Sequence, residues 1–220
     1  MKIAIIGAGA MGSALAEGLL KGSVFKPKEI VIANPHQEKL KKFAQLGAQT
    51  TTDNCAAVKG AQLVAIVVKP WLVEQVINEI KGVLDYQQQT IMNMAAAISS
   101  DTLFSWLEKD GKKPALFQVI PNIAIAYKAS MTFIVPCRAS EEQTAFVKSL
   151  FDDMGKSLIT DEAHLTAGTT LASCGIAYAM RYVRAAAEGG VELGFKADVA
   201  TDVVLQTLQG AVSLLQGTGA

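Results

Sequence analysis

Apolar and polar positions along the chain keep one rhythm up to about residue 160 and then change to another. In the first part, short runs rich in β-branched residues alternate with stretches of helical period. The pattern predicts strands at 3–6, 30–33, 63–68, 90–94, 116–119 and 132–135, with 157–159 as a last edge strand. Helices are expected between them at 10–21, 37–46, 71–80, 101–108 and 141–154. Residues 63–68 carry no polar alternation, the mark of a strand buried on both faces. Pro70 suits a helix start, Ser99, Ser100 or Asp101 can cap the fourth helix, and Ser140 the fifth. Strand–helix–strand alternation with short connections predicts an α/β domain, a doubly wound, mostly parallel sheet covered on both faces.

Beyond residue 160 no strand pattern remains. Residues 162–193 are helix-compatible, with a break expected near Gly168 or Gly175 and an end at Gly189-Gly190 and Gly194. Residues 197–216 form a second helix whose apolar residues, including Val199, Val203, Leu208, Val212 and Leu215, surround much of its axis. Such a helix is buried on several sides, and two helices cannot cover each other that fully. The division expected is therefore 1–160 as the α/β domain and 161–220 as an all-helical oligomerisation domain. The partner is a second copy in a homodimer or an assembly of dimers; packing on the first domain alone is the alternative.

Twenty basic residues balance twenty acidic ones, and there is no dense basic run, so neither nucleic acid nor a membrane surface is an expected partner. Half the residues are hydrophobic, which fits extensive burial, yet no apolar run is long enough to span a bilayer. Glycines interrupt the N-terminal apolar stretch, which argues against a signal peptide. Cys55, Cys137 and Cys174 are far apart, and His36 and His164 are the only histidines. No metal site is expected, and reduced thiols in a cytoplasmic protein are the simple reading.

The chemistry is concentrated at the N-terminus. Gly7-Ala8-Gly9-Ala10-Met11-Gly12 matches GxGxxG, directly after a strand ending at Ile6 and opening a helix. That context makes it a Rossmann dinucleotide turn. Gly7 permits the tight turn, Gly9 leaves room for the pyrophosphate, and Gly12 lets helix and strand pack closely. The next strand leads to Asn34, where an acidic residue would hold the ribose of NAD. A neutral Asn34, with His36 and Lys39 nearby, favours NADP(H), with NAD(H) as the alternative. Val68-Lys69-Pro70 falls at the C-terminal end of a central strand, where such sheets bind ligands; a lysine there also commonly points to water. Asn54 is either a helix cap or a cofactor contact.

At this point the residues resemble the pyrroline-5-carboxylate reductase family, over the whole chain. The resemblance rests on the glycine turn, Asp53-Asn54, Val68-Lys69-Pro70, Met94-Ala95-Ala96 and Pro121-Asn122. In the helical part it rests on Ala177-Tyr178 leading to Glu188-Gly189-Gly190-Val191-Glu192-Leu193-Gly194, and on Gln206-Thr207-Leu208-Gln209-Gly210-Ala211. It implies that Asn34, Asn54, Val68, Lys69, Pro70, Ala95 and Ala96 join Ile6 and residues 7–12 around NADP(H). It also implies that Pro121 and Asn122 lie near nicotinamide and substrate. The family's Ser-Gly-Ser-Gly-Pro reads Ala172-Ser173-Cys174-Gly175-Ile176 here, and Gln118 stands where the family usually has arginine. Family members continue beyond the equivalent of Ala220 with a Ser/Thr-Pro-Gly-Gly-Thr loop for the substrate carboxylate. Either this sequence is a piece of a longer chain or the protein lacks that loop.

The reaction implied is hydride transfer from NADPH to the imine carbon of 1-pyrroline-5-carboxylate, giving L-proline. Asn122 and Ser173 are the catalytic candidates; Cys174 and Tyr178 are better read as helix packing. A protonated imine is already electrophilic, so positioning matters more than a strong acid. Two rivals remain: a reductase of another imine or ketone on this scaffold, and a nucleotide-binding regulatory protein without turnover.

Overall fold

The computed structural model describes residues 1–219. Met1–Ser173 form one compact unit, and a second begins at Cys174. The first is built on an eight-stranded sheet: β1 Ile3–Ile6, β2 Ile30–Ala33, β3 Gln49–Thr51, β4 Leu63–Ile66, β5 Thr90–Asn93, β6 Ala115–Ile120, β7 Ser130–Arg138 and β8 Gly155–Ile159. The spatial order is β3-β2-β1-β4-β5-β6-β7-β8. Every pairing is parallel except β6 with β7.

Alternate side chains of β1 fix the two layers. Ile3 and Ile5 join one core with Leu15 and Leu19 of α1 (Ala10–Lys21), Phe43 of α2 (Lys41–Gln45) and Val147, Leu150 and Phe151 of α6 (Glu141–Asp152). Ala4 and Ile6 join the other, with Val58 of α3 (Asn54–Val58), Val73, Ile77 and Ile80 of α4 (Val73–Ile80) and Leu103 and Leu107 of α5 (Ser100–Leu107). A strand with period two that buries both faces needs a helical layer on each side. Ser99 and Ser140 cap α5 and α6 by accepting Thr102 and Gln143 N–H.

Asp153 staples three loops of this unit. Its carboxylate accepts Ser23 N–H at 2.8 Å, the Ser23 hydroxyl at 3.2 Å and the Lys128 ammonium at 3.1 Å. Burial opposes its ionisation, but the Ser23 hydrogen bonds and the Lys128 charge outweigh that and hold the carboxyl below its ordinary value. A depressed folded-state pKa contributes stability above the unfolded value, about 3.9, and that stability is lost as pH falls through the folded value. Asp153→Asn should therefore cost about 1 kcal/mol at neutral pH. The difference from the parent should shrink in denaturant titrations below about pH 4. A constant difference down to the acid limit would show that the charge does not matter.

The helical part starts with α7 Leu165–Gly168, continues as a π-helical segment Thr169–Cys174, and straightens into α8 Gly175–Glu192. The break expected near Gly168 or Gly175 is thus a six-residue π segment lying between those two glycines. In the second unit α8 packs on α9, Ala197–Thr218. Only Ala187 of α8 and Ala200 of α9 are buried. Cys174 and Tyr178, read as packing residues, are exposed.

Candidate functional site

Strand order reverses between β1 and β4, and the crevice beyond their C-terminal ends is where a doubly wound sheet binds ligands. The glycine turn stands at the head of α1 there. Gly7 has φ +107°. A Cβ on Gly12 would lie 1.9 Å from the Gly7 carbonyl oxygen, so α1 approaches the turn as closely as backbone allows. A Cβ on Gly9 would meet nothing within 4 Å. Gly9 caps α1 without a side-chain hydrogen bond, and the first turn holds no carboxylate. The leading N–H groups and the positive helix end therefore have no charge of the chain's own to neutralise them. These features suit a pyrophosphate laid against Gly9.

Asn34 follows β2 and is buried. Its N–H reaches the Thr51 carbonyl, and its Oδ1 accepts His36 N–H at 2.9 Å. With the oxygen so engaged, the amide NH2 is the free, donating end. His36 and Lys39 are exposed beside it. Val68 is half-buried and Lys69 exposed where β4 ends, next to Pro70. Ala95 is buried and Ala96 half-buried beyond β5. A residue missed in the sequence holds Ala95. The fully buried Asn93 donates its amide to the Ala95 carbonyl at 2.8 Å and accepts Ala95 N–H at 3.3 Å. Its only sequence signal is an amide at the end of an apolar strand.

Asn54 lies elsewhere in its contacts. Its amide donates to Glu79 at 2.9 Å, near the end of α4, and Asp53 rather than Asn54 caps α3. Asp53, Cys55 and Glu79 could offer ligand atoms within 4.8 Å of one another, but Asp53 accepts Ala56 N–H and the Cys55 thiol donates to the Glu79 carbonyl. These groups serve the α3–α4 contact.

Pro121 and Asn122 are buried beyond β6. Asn122 Oδ1 accepts Ala124 N–H at 3.0 Å, its amide reaches the Ala172 carbonyl at 3.3 Å, and its own N–H donates to the Ser130 hydroxyl at 3.1 Å. Ser173 donates its hydroxyl to the Pro121 carbonyl at 2.7 Å. Both catalytic candidates thus tie the Pro121-Asn122 loop to the π segment, 52 residues away for the Ser173 bond. Gln118, 2% exposed, donates to the Ser100 hydroxyl at 3.0 Å, and Ser100 donates in turn to Glu162. Burial pushes the neighbouring Cys137 thiol up, with hydrogen bonds from Ser100 and the Gln118 backbone opposing it.

Residues 2–97 match the family model described as NADP oxidoreductase, coenzyme F420-dependent, and residues 162–220 match the pyrroline-5-carboxylate reductase dimerisation model. Pyrroline-5-carboxylate reductase 1 of Dictyostelium discoideum is 30% identical over 97% of this chain, which spans 40% of that relative's length. The Arabidopsis thaliana pyrroline-5-carboxylate reductase is 30% identical over 99% of this chain and 78% of its own length. Among solved structures, that of the Streptococcus pyogenes enzyme superposes with TM-score 0.84 at 29% identity, over 98% of this chain and 80% of its own. The NADP-bound Plasmodium falciparum pyrroline carboxylate reductase gives 0.89 at 19% identity, over 98% and 79%, a likeness of fold. Glycine turn, sheet order, helical tail and near full-length similarity agree: the chain belongs to the pyrroline-5-carboxylate reductase family.

Proposed function

We propose that the protein is an NADP(H)-dependent oxidoreductase that reduces the imine of 1-pyrroline-5-carboxylate to L-proline. The observation that carries this is the uncapped head of α1, open at Gly9, in a chain whose relatives bear that enzyme's name over nearly its whole length. When bound, NADPH supplies the hydride for the imine carbon. Ile6 and residues 7–12 hold the pyrophosphate by backbone donors. The Asn34 amide donates toward the 2′-phosphate, and Lys69 adds a positive charge. Val68, Pro70, Ala95 and Ala96 wall the nicotinamide half, with Asn93 fixing Ala95; Asn54 contacts the cofactor through the part of its amide that Glu79 does not engage.

Pro121, Asn122 and Ser173 border the reacting atoms. The side chains of Asn122 and Ser173 already hold backbone groups, so their contribution is placement of the reactants rather than proton transfer. Residues 1–160 serve as the dinucleotide domain and 161–220 as the helical domain of a cytoplasmic homodimer or assembly of dimers. The family dimerisation match over 162–220 supports this division. Among the described residues no helix is long and apolar enough to cross a membrane.

The direct test is steady-state oxidation of NADPH by pyrroline-5-carboxylate, with NADH, 1-pyrroline and a simple ketone in parallel. Faster turnover of either alternative substrate would favour a different reductase on the same scaffold. Cofactor binding without any turnover would favour a regulatory nucleotide binder. Asn34→Asp keeps the acceptor for His36 N–H while placing a carboxylate beside the ribose. Preference for NADPH over NADH should fall at least tenfold, because like charges now face each other. An unchanged preference would remove Asn34 from the 2′-phosphate site.

A further inference from the structure

The end of the sheet away from the glycine turn holds a second feature that the turn does not explain. A cavity of about 520 Å³ elsewhere belongs to the apolar surface of α8 and α9. The one at this end is different, about 300 Å³ and lined by Tyr86, Gln87, Gly111, Lys112, Lys113 and Arg138. Residues 86–87 lie just before β5, and residues 111–113 just before β6. Arg138 ends β7, which runs antiparallel to β6 and sets Arg138 opposite Leu116 near the start of that strand. The chain has no dense basic run and is neutral overall. The cluster is made by the fold.

Two of its three cations are unpaired. Among the described residues Lys112 and Arg138 have no ion-pair partner; Lys113 has Glu108 at 3.9 Å, a separation at which an exposed pair is weak, and its ammonium stands 5.5 Å from the centre of the Phe104 ring. Lys109 and Lys112 bridge a two-residue hairpin whose tip, Asp110-Gly111, has φ of +53° and +70°. Positive φ at both central residues fits a tight primed turn. Lys109 pins that hairpin by donating to the Leu84 carbonyl at 2.8 Å and the Lys81 carbonyl at 3.3 Å, with its ammonium 5.1 Å from the centre of the Tyr86 ring. Tyr86 is anchored through its hydroxyl to the Leu107 carbonyl. Its burial pushes the phenol pKa up to about 12, so it stays a donor to that carbonyl at neutral pH. The nearest carboxylate of the Tyr86 loop, Asp85, accepts Gln87 N–H and is turned to its own backbone.

We propose that this cavity is an anion site for a phosphate-bearing small molecule, held by Arg138 as a planar fork and by Lys112 and Lys113 as point charges. Cations gathered around a concave site raise the local concentration of a multivalent anion, and a planar guanidinium loses less freedom per hydrogen bond than an ammonium on a flexible stem. Its location, at the strand N-termini, separates it from the dinucleotide crevice at their C-termini. Occupancy of one does not require the other.

Inorganic pyrophosphate is the probe, titrated calorimetrically into the full chain saturated with NADPH, and into Gly9→Val without cofactor. Saturable binding is expected in both, with affinity falling as salt rises. Arg138→Gln and Lys112→Gln, both on exposed side chains, should each weaken it at least fivefold while NADPH affinity stays within twofold. No saturable binding, or binding that survives both substitutions unchanged, overturns the proposal. Failure of NADPH to bind would instead count against the dinucleotide reading, and the Gly9→Val titration would still decide this one. An acidic peptide that binds more tightly than pyrophosphate and competes for the same residues would also overturn the assignment to a phosphate-bearing small molecule.

Discussion

Replacing Gly9 by valine is expected to weaken NADPH binding by more than a hundredfold and to leave the chain folded. A Cβ at Gly9 meets nothing within 4 Å, so the fold has space for the new side chain. The residue sits at φ −74° and ψ −168°, extended backbone that a β-branched residue adopts readily. The N-cap preference lost amounts to about 1 kcal/mol or less. The space the valine fills is the approach to the leading N–H groups of α1, and a diphosphate kept away from them loses both the hydrogen bonds and the favourable helix end. Circular dichroism and the unfolding midpoint report the fold, and fluorescence titration reports the affinity. A folded variant that binds NADPH normally would move the pyrophosphate away from α1. Gly12 provides the contrast. There a Cβ would collide with the Gly7 carbonyl at 1.9 Å, so Gly12→Ala should fail through the fold and not through the ligand.

The second large effect concerns assembly. The chain is expected to sediment as a dimer or larger at micromolar concentration, and paired charges on α9 should dissociate it. Val203 and Val212 are 51% and 46% exposed in the single chain. They stand about two and a half helical turns apart and so on opposite sides of α9. Leu205, Leu214 and Leu215 are at least half exposed as well. One neighbouring helix cannot cover both sides. Each such side chain left in water forgoes roughly 1.5–3 kcal/mol of burial. A two-fold pairing of helical units is the simplest arrangement that recovers it. Val203→Glu with Leu215→Glu should give a monomer with unchanged helix content. A parent chain that is cleanly monomeric would overturn the dimer.

The sequence made some parts of this molecule legible because their signals are local. The run at 3–6, the helix at 10–21 and the glycine turn between them each reside in a few consecutive residues, and the structure has them where they were expected. The strand Gln49–Thr51 was not legible. It is short, polar and at the sheet edge, so no apolar run announces it. Strand β7 was read as 132–135 but spans Ser130–Arg138: it starts on a buried hydroxyl, Ser130, and runs on past the apolar stretch through Pro136 and Cys137 to an exposed Arg138. Ser130 and Thr132 hydrogen-bond to each other at 3.1 Å, and paired polar groups bury without an apolar signature. The same limit hid Asn93 and the contacts of Gln118 with Ser100 and Glu162. Hydrogen bonds between distant residues leave no periodicity to read, and neither does a cation cluster assembled from two strand ends.

The π segment at Thr169–Cys174 has a consequence for how this chain tolerates change in length. A π turn holds one residue more than the α turn it interrupts. Deleting the exposed Leu171 would therefore remove the surplus residue and let the segment close into ordinary α geometry, with the residues on either side near their present angular positions. Ser173 and Ala172 would still face the Pro121-Asn122 loop that they bond. The same deletion inside α8, where no turn carries a surplus residue, would rotate the rest of that helix by about 100°. The π segment is thus where the chain can give up a residue without a change of face.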